Sequence, residues 1–322
     1  MVIDGEVTLE RSFGFANLEW DAPTSKETVF HIGSESKQFT AYLITKLIVE
    51  EKLRLNDDAR HLLDYCDTFP YPLRIQDLLR HTSGMADYLS KNVEVLDKNG
   101  KAAEGFSGGR GYFGSVRVRQ AIVERSVLQN CPAPIYEYSN SNYVILADIV
   151  SLLEGKEFAT VAEEAIFQPL EMTRTFFDVA RARVVERRAT AYAPDLRLPD
   201  QYLSRLKNFD VVGNVGLVTT VDDLVKWEKN FWSDQLPNRV ILERMLSFHG
   251  VKRDDGMLYR CGMEFGDVGG EPYVSHGGRM DGFKSVILRM PRKKLSLIYL
   301  SNCDVPFISS EAIGREIASV CA

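Results

Sequence analysis

The strongest constraint in this 322-residue sequence is the run from Phe30 to Thr40 and the apolar positions that follow it. Phe39, Leu43 and Leu47 recur every four residues, with Ile44 and Ile48 beside them. That period predicts a helix from the Ser34 region to about Lys52, buried along one broad face. A serine stands at its mouth. Residues three apart share a helix face, so Lys37 lies one turn beyond Ser34 with its amine in reach of the hydroxyl. The first turn of a helix carries backbone N–H groups without partners and favours negative charge. A serine hydroxyl is a weak nucleophile until a base takes its proton, and a lysine with a pKa depressed by burial is such a base. The same residues also fit a helix cap followed by a surface lysine. Partners elsewhere in the chain must decide between the two.

Composition narrows the classes. The chain is 45% hydrophobic and 26% charged, which fits an ordinary globular protein. A net charge of -6 without a basic run argues against a nucleic-acid partner. Cys66, Cys131, Cys261, Cys303 and Cys321 are scattered and form no CxxC pair, so free thiols are expected. The five histidines show no HExxH or clustered spacing; no metal and no cofactor is expected. No apolar run reaches membrane-spanning length. The opening Met1-Val2-Ile3-Asp4-Gly5 reads as a strand end and a turn rather than a signal peptide. The compartment stays open.

Along the chain, Glu6 to Glu10 reads as a strand, continued from Ser12 to Leu18 with a bend at Gly14. The stretch from Ile75 to Met85 reads as a short helix ending at the Thr82-Ser83-Gly84 turn, and His81 fits a structural role bonded to that turn better than a catalytic one. Gly109-Arg110-Gly111-Tyr112-Phe113-Gly114 matches GxGxxG, but no β-rich run precedes it. It reads as a loop bordering a cleft, not a dinucleotide site. Pro132 and Pro134 keep the chain extended before Tyr138. An apolar helix follows through Val144, Ile145, Leu146, Ile149, Leu152 and Leu153 to Gly155. Tyr138, Ser139 and Asn140 therefore sit on a fixed turn. It either holds a phenol and an amide towards a cleft or packs a tyrosine into the core and caps a helix.

Residues 180 to 210 read as polar and irregular. Thr220 with Asp223 resembles a capping box opening a helix through Leu224 and Trp227. The last quarter holds short β-rich runs, Tyr259 to Phe265, Pro272 to His276, Gly282 to Met290 and Leu295 to Ser301, which predict an antiparallel sheet. A final helix is expected at about 310–320, and the N-terminal hairpin is expected to join the late sheet. The two glycines after His276 allow another backbone to approach closely.

Three motifs thus stand in order: Ser34-x-x-Lys37, Tyr138-x-Asn140 and His276-x-Gly278. The ordered set resembles the penicillin-recognising serine hydrolases: class C β-lactamases, DD-carboxypeptidases, D-aminopeptidases and β-lactamase-fold esterases. Thr28-Val29-Phe30, Leu79-Arg80-His81-Thr82-Ser83-Gly84, Phe167-Gln168-Pro169-Leu170 and Gly216-Leu217-Val218-Thr219-Thr220 resemble scaffold segments of that family. The resemblance implies an α/β (α+β) fold of the β-lactamase/transpeptidase type. An antiparallel sheet built from both chain ends is flanked by helices, beside a helical lobe. It implies one domain over 1–322, with an α/β lobe of about 1–35 and 256–322 and a mostly helical lobe of about 36–255. Family members usually carry an N-terminal helix and a fuller first strand, so the start is expected to be truncated or short. They are often exported.

The resemblance also implies roles. Ser34 forms the acyl ester, and Lys37 with Tyr138 shares the base function, the ammonium favouring the phenolate. Asn140 hydrogen-bonds substrate or Lys37. The backbone N–H groups of Ser34 and Arg279 form an oxyanion hole, and His276, Gly277, Gly278 and Arg279 line the substrate groove. Many members carry Lys where this chain has His276. A neutral imidazole binds a carboxylate less strongly than an ammonium, which disfavours efficient β-lactam hydrolysis unless Arg279 supplies the charge. The leading expectation is a serine hydrolase of small amides or esters, including D-amino-acid peptides. The alternatives are a β-lactamase or DD-carboxypeptidase, and a non-catalytic penicillin-fold protein that binds peptidoglycan fragments or a partner. The oligomeric state is not legible.

Overall fold

The computed structural model describes residues 1–89, 114–126, 135–180, 183–198, 201–207, 210–232 and 239–304, with isolated positions beyond. The glycine-rich stretch up to Phe113 and the helix expected at about 310–320 lie outside the described residues, apart from those isolated positions.

Eight strands form the main antiparallel sheet: β1 (Val2–Ile3), β2 (Glu6–Val7), β3 (Val251–Lys252), β4 (Leu258–Arg260), β5 (Met263–Val268), β6 (Glu271–Met280), β7 (Phe283–Met290) and β8 (Leu295–Ser301). Their order is β3-β4-β5-β6-β7-β8-β1-β2. The chain start joins the sheet at its late edge, Val2 opposite Ser296 and Ile3 opposite Leu295, as the sequence predicts. The expected continuation through Ser12 to Leu18 does not join it. Phe15–Asn17 pairs instead with Ala22–Pro23 in a separate hairpin, after Gly14 turns the chain at a φ of 70°.

Alternation along β7 gives the sheet two different faces. Val286, Leu288 and Met290 pack with Met257, Tyr273 and Leu295 on one side. Ile287 points to the other, into the large core shared with the helices. That core surrounds helix α1 (Ser36–Val49), of whose 14 residues eleven are buried. The apolar period predicts one buried face; the structure buries the helix nearly all round, because α2 (Asn140–Glu154), the helix at Arg239–Ser247 and the sheet all pack on it. α2 stops at Gly155 in the left-handed conformation, as expected of a helix C-terminus. Helix α3 (Val221–Trp232) opens where Asp223 N–H donates to Thr220 Oγ1. Helix α4 (Arg239–Ser247) follows. Short strands also run through the middle of the chain. Phe30–His31 and Phe176–Phe177 flank Leu217–Thr219, and Ala191–Pro194 pairs with Tyr202–Arg205 where the sequence reads as irregular.

A buried polar cluster ties α1, α3 and β7 together. Arg289 donates to both carboxylate oxygens of Glu228, at 2.8 and 2.5 Å, and to Gln38 Oε1 at 2.7 Å. Trp227 Nε1 donates to the same Gln38 oxygen. Glu35 accepts from the Ile287 N–H and from Gln38 Nε2, both at 2.7 Å, and burial pushes its carboxyl well above the usual range. Removing one partner of such a pair strands a buried charge. Glu228→Gln is therefore expected to cost roughly 3–5 kcal/mol, read as a lowered midpoint in denaturant unfolding; an unchanged midpoint would contradict this packing.

Candidate active site

Ser34 lies in a single 3₁₀ turn, Gly33–Glu35, that leads into α1. Gly33 and Glu35 on either side are buried, while Ser34 keeps partial access to solvent. The turn is held from below by Ser36 Oγ, which donates to Gly33 O at 2.7 Å. Gly33 has a φ of 54°, and a Cβ there would come within 2.7 Å of the Arg279 backbone nitrogen. The turn therefore needs glycine for two independent reasons, conformation and proximity.

Lys37, fully buried, points back along the helix to the serine, its Nζ 3.0 Å from Ser34 Oγ. It also donates to Asn140 Oδ1 at 2.8 Å and to the Asn214 carbonyl at 2.9 Å. Burial depresses its pKa to about 7, against the opposing pull of Asp87. Tyr138, half-buried on the turn before α2, places its hydroxyl 2.9 Å from Ser34 Oγ. Burial raises the phenol well above its ordinary value, against the smaller effect of the Ser34 hydrogen bond. Burial thus works against the phenolate that the resemblance implies. Desolvation acts on both partners, favouring a neutral amine and a neutral phenol.

The Asn140 amide is fixed at both ends, because its Nδ2 donates to Asp87 Oδ2 at 2.8 Å. Asp87 sits on a pinned segment: Tyr88 N–H donates to Ser141 Oγ, and Asn214 Nδ2 donates to the Tyr88 hydroxyl at 2.9 Å. Neither Asp87 nor Asn214 is singled out by the sequence reading. Asn214 had a signal, since it stands between Gly213 and Gly216, both at positive φ. A Cβ at Gly213 would run into Ala147 and the Tyr143 carbonyl on α2. Asp87 carried no pattern of its own.

The third motif lies on β6. Pairing with β5 ends at Ser275, while pairing with β7 continues to Met280. The segment from His276 to Met280 thus has one edge outside the sheet ladder, and the Ser34 turn packs there. A Cβ on Gly278 would overlap the Ile32 carbonyl oxygen and Ser285 Oγ, two atoms already hydrogen-bonded at 2.7 Å. Arg279 brings its backbone beside Gly33, but its guanidinium turns away and donates to Asp304 at 2.9 and 2.6 Å. His276 is buried with its ring 6.4 Å from that of Tyr138. Its Nε2 lies 3.3 Å from the Tyr259 hydroxyl and its Nδ1 2.8 Å from Gly277 O. Burial drives its pKa down to about 3. The three sequence motifs, separated by more than a hundred residues, are thus brought to one place. Among the described residues, no group of three His, Cys, Asp or Glu side chains is placed to hold a metal.

Mixed helices around an antiparallel sheet, with a serine, a lysine and a tyrosine converging where sheet and helices meet, define a β-lactamase-type fold. The sequence matches the Beta-lactamase family model over residues 1–321, and the chain belongs to that family. It is 28% identical over 301 residues to a D-aminopeptidase of Gluconobacter oxydans, covering 93% of this chain and 54% of that protein. A D-aminopeptidase of Brucella ovis is 25% identical over 304 residues, covering 94% and 55%. The chain thus spans about half the length of the curated relatives it matches. In fold it is similar to an octameric penicillin-binding protein homologue from Pyrococcus abyssi, with a TM-score of 0.84 and 22% identity over 99% of this chain and 72% of that one. A D-amino acid amidase from Ochrobactrum anthropi aligns with a TM-score of 0.76 and 18% identity, over 96% and 89%. No helix among the described residues is long and apolar enough to cross a membrane.

Proposed function

We propose that this chain is a serine hydrolase that opens small amide or ester bonds, D-amino-acid amides and peptides foremost, through an acyl ester on Ser34. The observation that carries the reading is the placement of Ser34 Oγ between Lys37 Nζ at 3.0 Å and the Tyr138 hydroxyl at 2.9 Å. The D-aminopeptidase relatives and the D-amino acid amidase fold support the substrate class.

The neutral Lys37 amine takes the Ser34 proton as Oγ bonds to the acyl carbon. The carbonyl oxygen gains charge between the backbone N–H groups of Ser34 and Arg279. Collapse breaks the bond to the leaving group, which receives a proton through Tyr138. Water then attacks the ester, its proton passing through the Tyr138 hydroxyl to the Lys37 amine, and the bond to Ser34 Oγ breaks as Oγ takes that proton back from Lys37. Asn140 holds Lys37 in line, Gly278 lets the Ser34 turn approach β6, and the partly open Gly277 lets the substrate lie along that strand. Where many members carry Lys, this chain has a buried His276 whose pKa is driven down to about 3, and the Arg279 guanidinium is engaged by Asp304. This favours acyl donors without a carboxylate beyond the scissile bond, and weighs against β-lactamase or DD-carboxypeptidase activity.

A panel of a D-alanyl anilide, a p-nitrophenyl ester and a chromogenic cephalosporin, run beside Ser34→Ala, tests the proposal. Turnover of the anilide or ester that disappears in Ser34→Ala is expected. Turnover surviving the substitution would reject the mechanism; covalent labelling by a fluorescent penicillin without turnover would favour a binding protein.

Because Lys37 must be neutral to act as base, kcat/KM is expected to rise with pH through about 7. The Asp87 carboxylate favours the Lys37 ammonium, so Asp87→Asn lowers the lysine's pKa further. The acid limb should shift to lower pH, while kcat/KM at its plateau falls about tenfold as Asn140 loses its anchor. A limb that stays in place or moves upward would contradict the coupling.

A further inference from the structure

Behind Tyr138 the rings of His81, Tyr259 and His276 meet in an order whose hydrogens are dictated by their neighbours. His81 Nδ1 faces two donors, the Ser139 N–H and Asn142 Nδ2, each at 3.1 Å. The Asn142 amide is oriented independently, since its Oδ1 accepts from Ser83 Oγ at 2.7 Å. Nδ1 of His81 must therefore be a lone pair, and its proton resides on Nε2. That nitrogen lies 3.1 Å from the Tyr259 hydroxyl. At the other end, His276 Nδ1 faces a carbonyl, Gly277 O, at 2.8 Å, and so carries a hydrogen. His276 is buried, so its second nitrogen is an acceptor, and the Tyr259 hydroxyl is the donor it faces. Tyr259 also neighbours the Tyr143 hydroxyl, which donates its own hydrogen to Leu79 O; sending the Tyr259 hydrogen to His276 avoids leaving that buried nitrogen unpaired. One direction results: His81 Nε2–H to Tyr259, Tyr259 O–H to His276 Nε2, His276 Nδ1–H to Gly277 O.

The ends of this chain touch the reaction site. The His81 ring lies against the Tyr138 ring, centroids 4.4 Å apart, and Tyr259 meets the same ring edge-on at 6.2 Å. The other end holds Gly277, next to the Gly278-Arg279 edge that packs on the Ser34 turn. His81 itself is held at a φ of 58° in the left-handed region, a conformation that its packing must maintain.

We propose that His81, Tyr259 and His276 form a neutral, one-directional hydrogen-bond chain that fixes the Tyr138 ring and the Gly277 edge relative to each other. On this assignment Tyr259 is a positioning residue of the reaction, and His276 is a brace rather than a ligand for a substrate carboxylate. The role in turnover rests on the serine hydrolase reading above; the hydrogen-bond chain does not. The charged groups acting on the two imidazoles are Lys37 and Arg253, both cationic when protonated, and Arg253 is itself paired with Asp255 and Glu264. Tyr136, Tyr138 and Tyr143 complete the surround of His81.

Nitrogen-15 NMR of histidine-labelled protein tests the chain without any substrate. The expected spectrum shows His81 protonated on Nε2 alone and His276 on Nδ1 alone, both unchanged between about pH 5.5 and 8.5, where a free imidazole titrates. Either ring in the opposite tautomer, or titrating in that range, would overturn the proposal. Tyr259→Phe removes the central hydroxyl while keeping the ring. It is expected to lower kcat by roughly 10–100-fold with KM changed less than about threefold, as for a misplaced reacting group. A variant with wild-type kcat would equally refute the positioning role. If Tyr259→Phe does not fold, the tautomers of the unaltered protein decide. If instead Ser34→Ala keeps turnover, the serine hydrolase reading falls and the tautomer result stands by itself.

Discussion

Lys37→Met is expected to reduce turnover by about 10⁴-fold, the upper range for losing a positioned general base. The substitution keeps an unbranched chain of similar volume within the buried helix, so the fold should survive. Its effect should fall on acylation, the step that needs the Ser34 proton removed. Both other groups that Lys37 touches, Asn140 Oδ1 and the Asn214 carbonyl, are acceptors that can aim the amine but cannot replace it. Tyr138 is a poor substitute, because burial raises its phenol well above the ordinary value and a neutral hydroxyl only relays a proton onward. Lys37→Arg should be nearly as inactive, since a guanidinium does not give up its proton at working pH. Stopped-flow measurement of ester acylation checks this. Acylation reduced by less than about tenfold in Lys37→Met would remove lysine from the base role.

Gly278→Ala should lose activity through a different route. Its new Cβ would overlap the Ile32 carbonyl oxygen, so β6 must move away from the turn that carries Ser34. The backbone N–H of Arg279 moves with it, and loss of one oxyanion donor costs about 10²–10³-fold in kcat. Removing the Ser285 hydroxyl as well should not rescue the variant, because the obstructing Ile32 oxygen belongs to the backbone. Steady-state kinetics of the single and double variants separate the cases. Recovery in the Gly278→Ala, Ser285→Ala double variant would show that side-chain crowding alone was responsible.

What could be read in advance follows from how far each feature depends on distant residues. Ser34 and Lys37 were legible because a helix fixes their spacing, and Tyr138 because prolines and an apolar helix confine its turn. That the N-terminal hairpin joins the late sheet was legible from its strand pattern, but its register, Val2 opposite Ser296, was not. Asp87 was invisible, since its importance comes from meeting an amide 53 residues away. Asn214 acts on Lys37 through a carbonyl that every residue possesses. Ala191–Pro194 hides its strand because it lacks polar alternation and ends in proline. The protonation preferences of Lys37 and Tyr138 depend on burial from several elements at once, which spacing cannot supply. His81 was read as structural from its turn alone; its link through Tyr259 to His276 spans almost two hundred residues and emerges only from the packed sheet.

The most direct trial of the whole account is the mass of the protein trapped during turnover. Acid-quenching the enzyme with a slowly released p-nitrophenyl ester, followed by peptide mapping, should find one acyl group on the peptide containing Ser34, absent from Ser34→Ala. An acyl group on another residue, or product formation through a pre-steady-state burst with no adduct at Ser34, would contradict it.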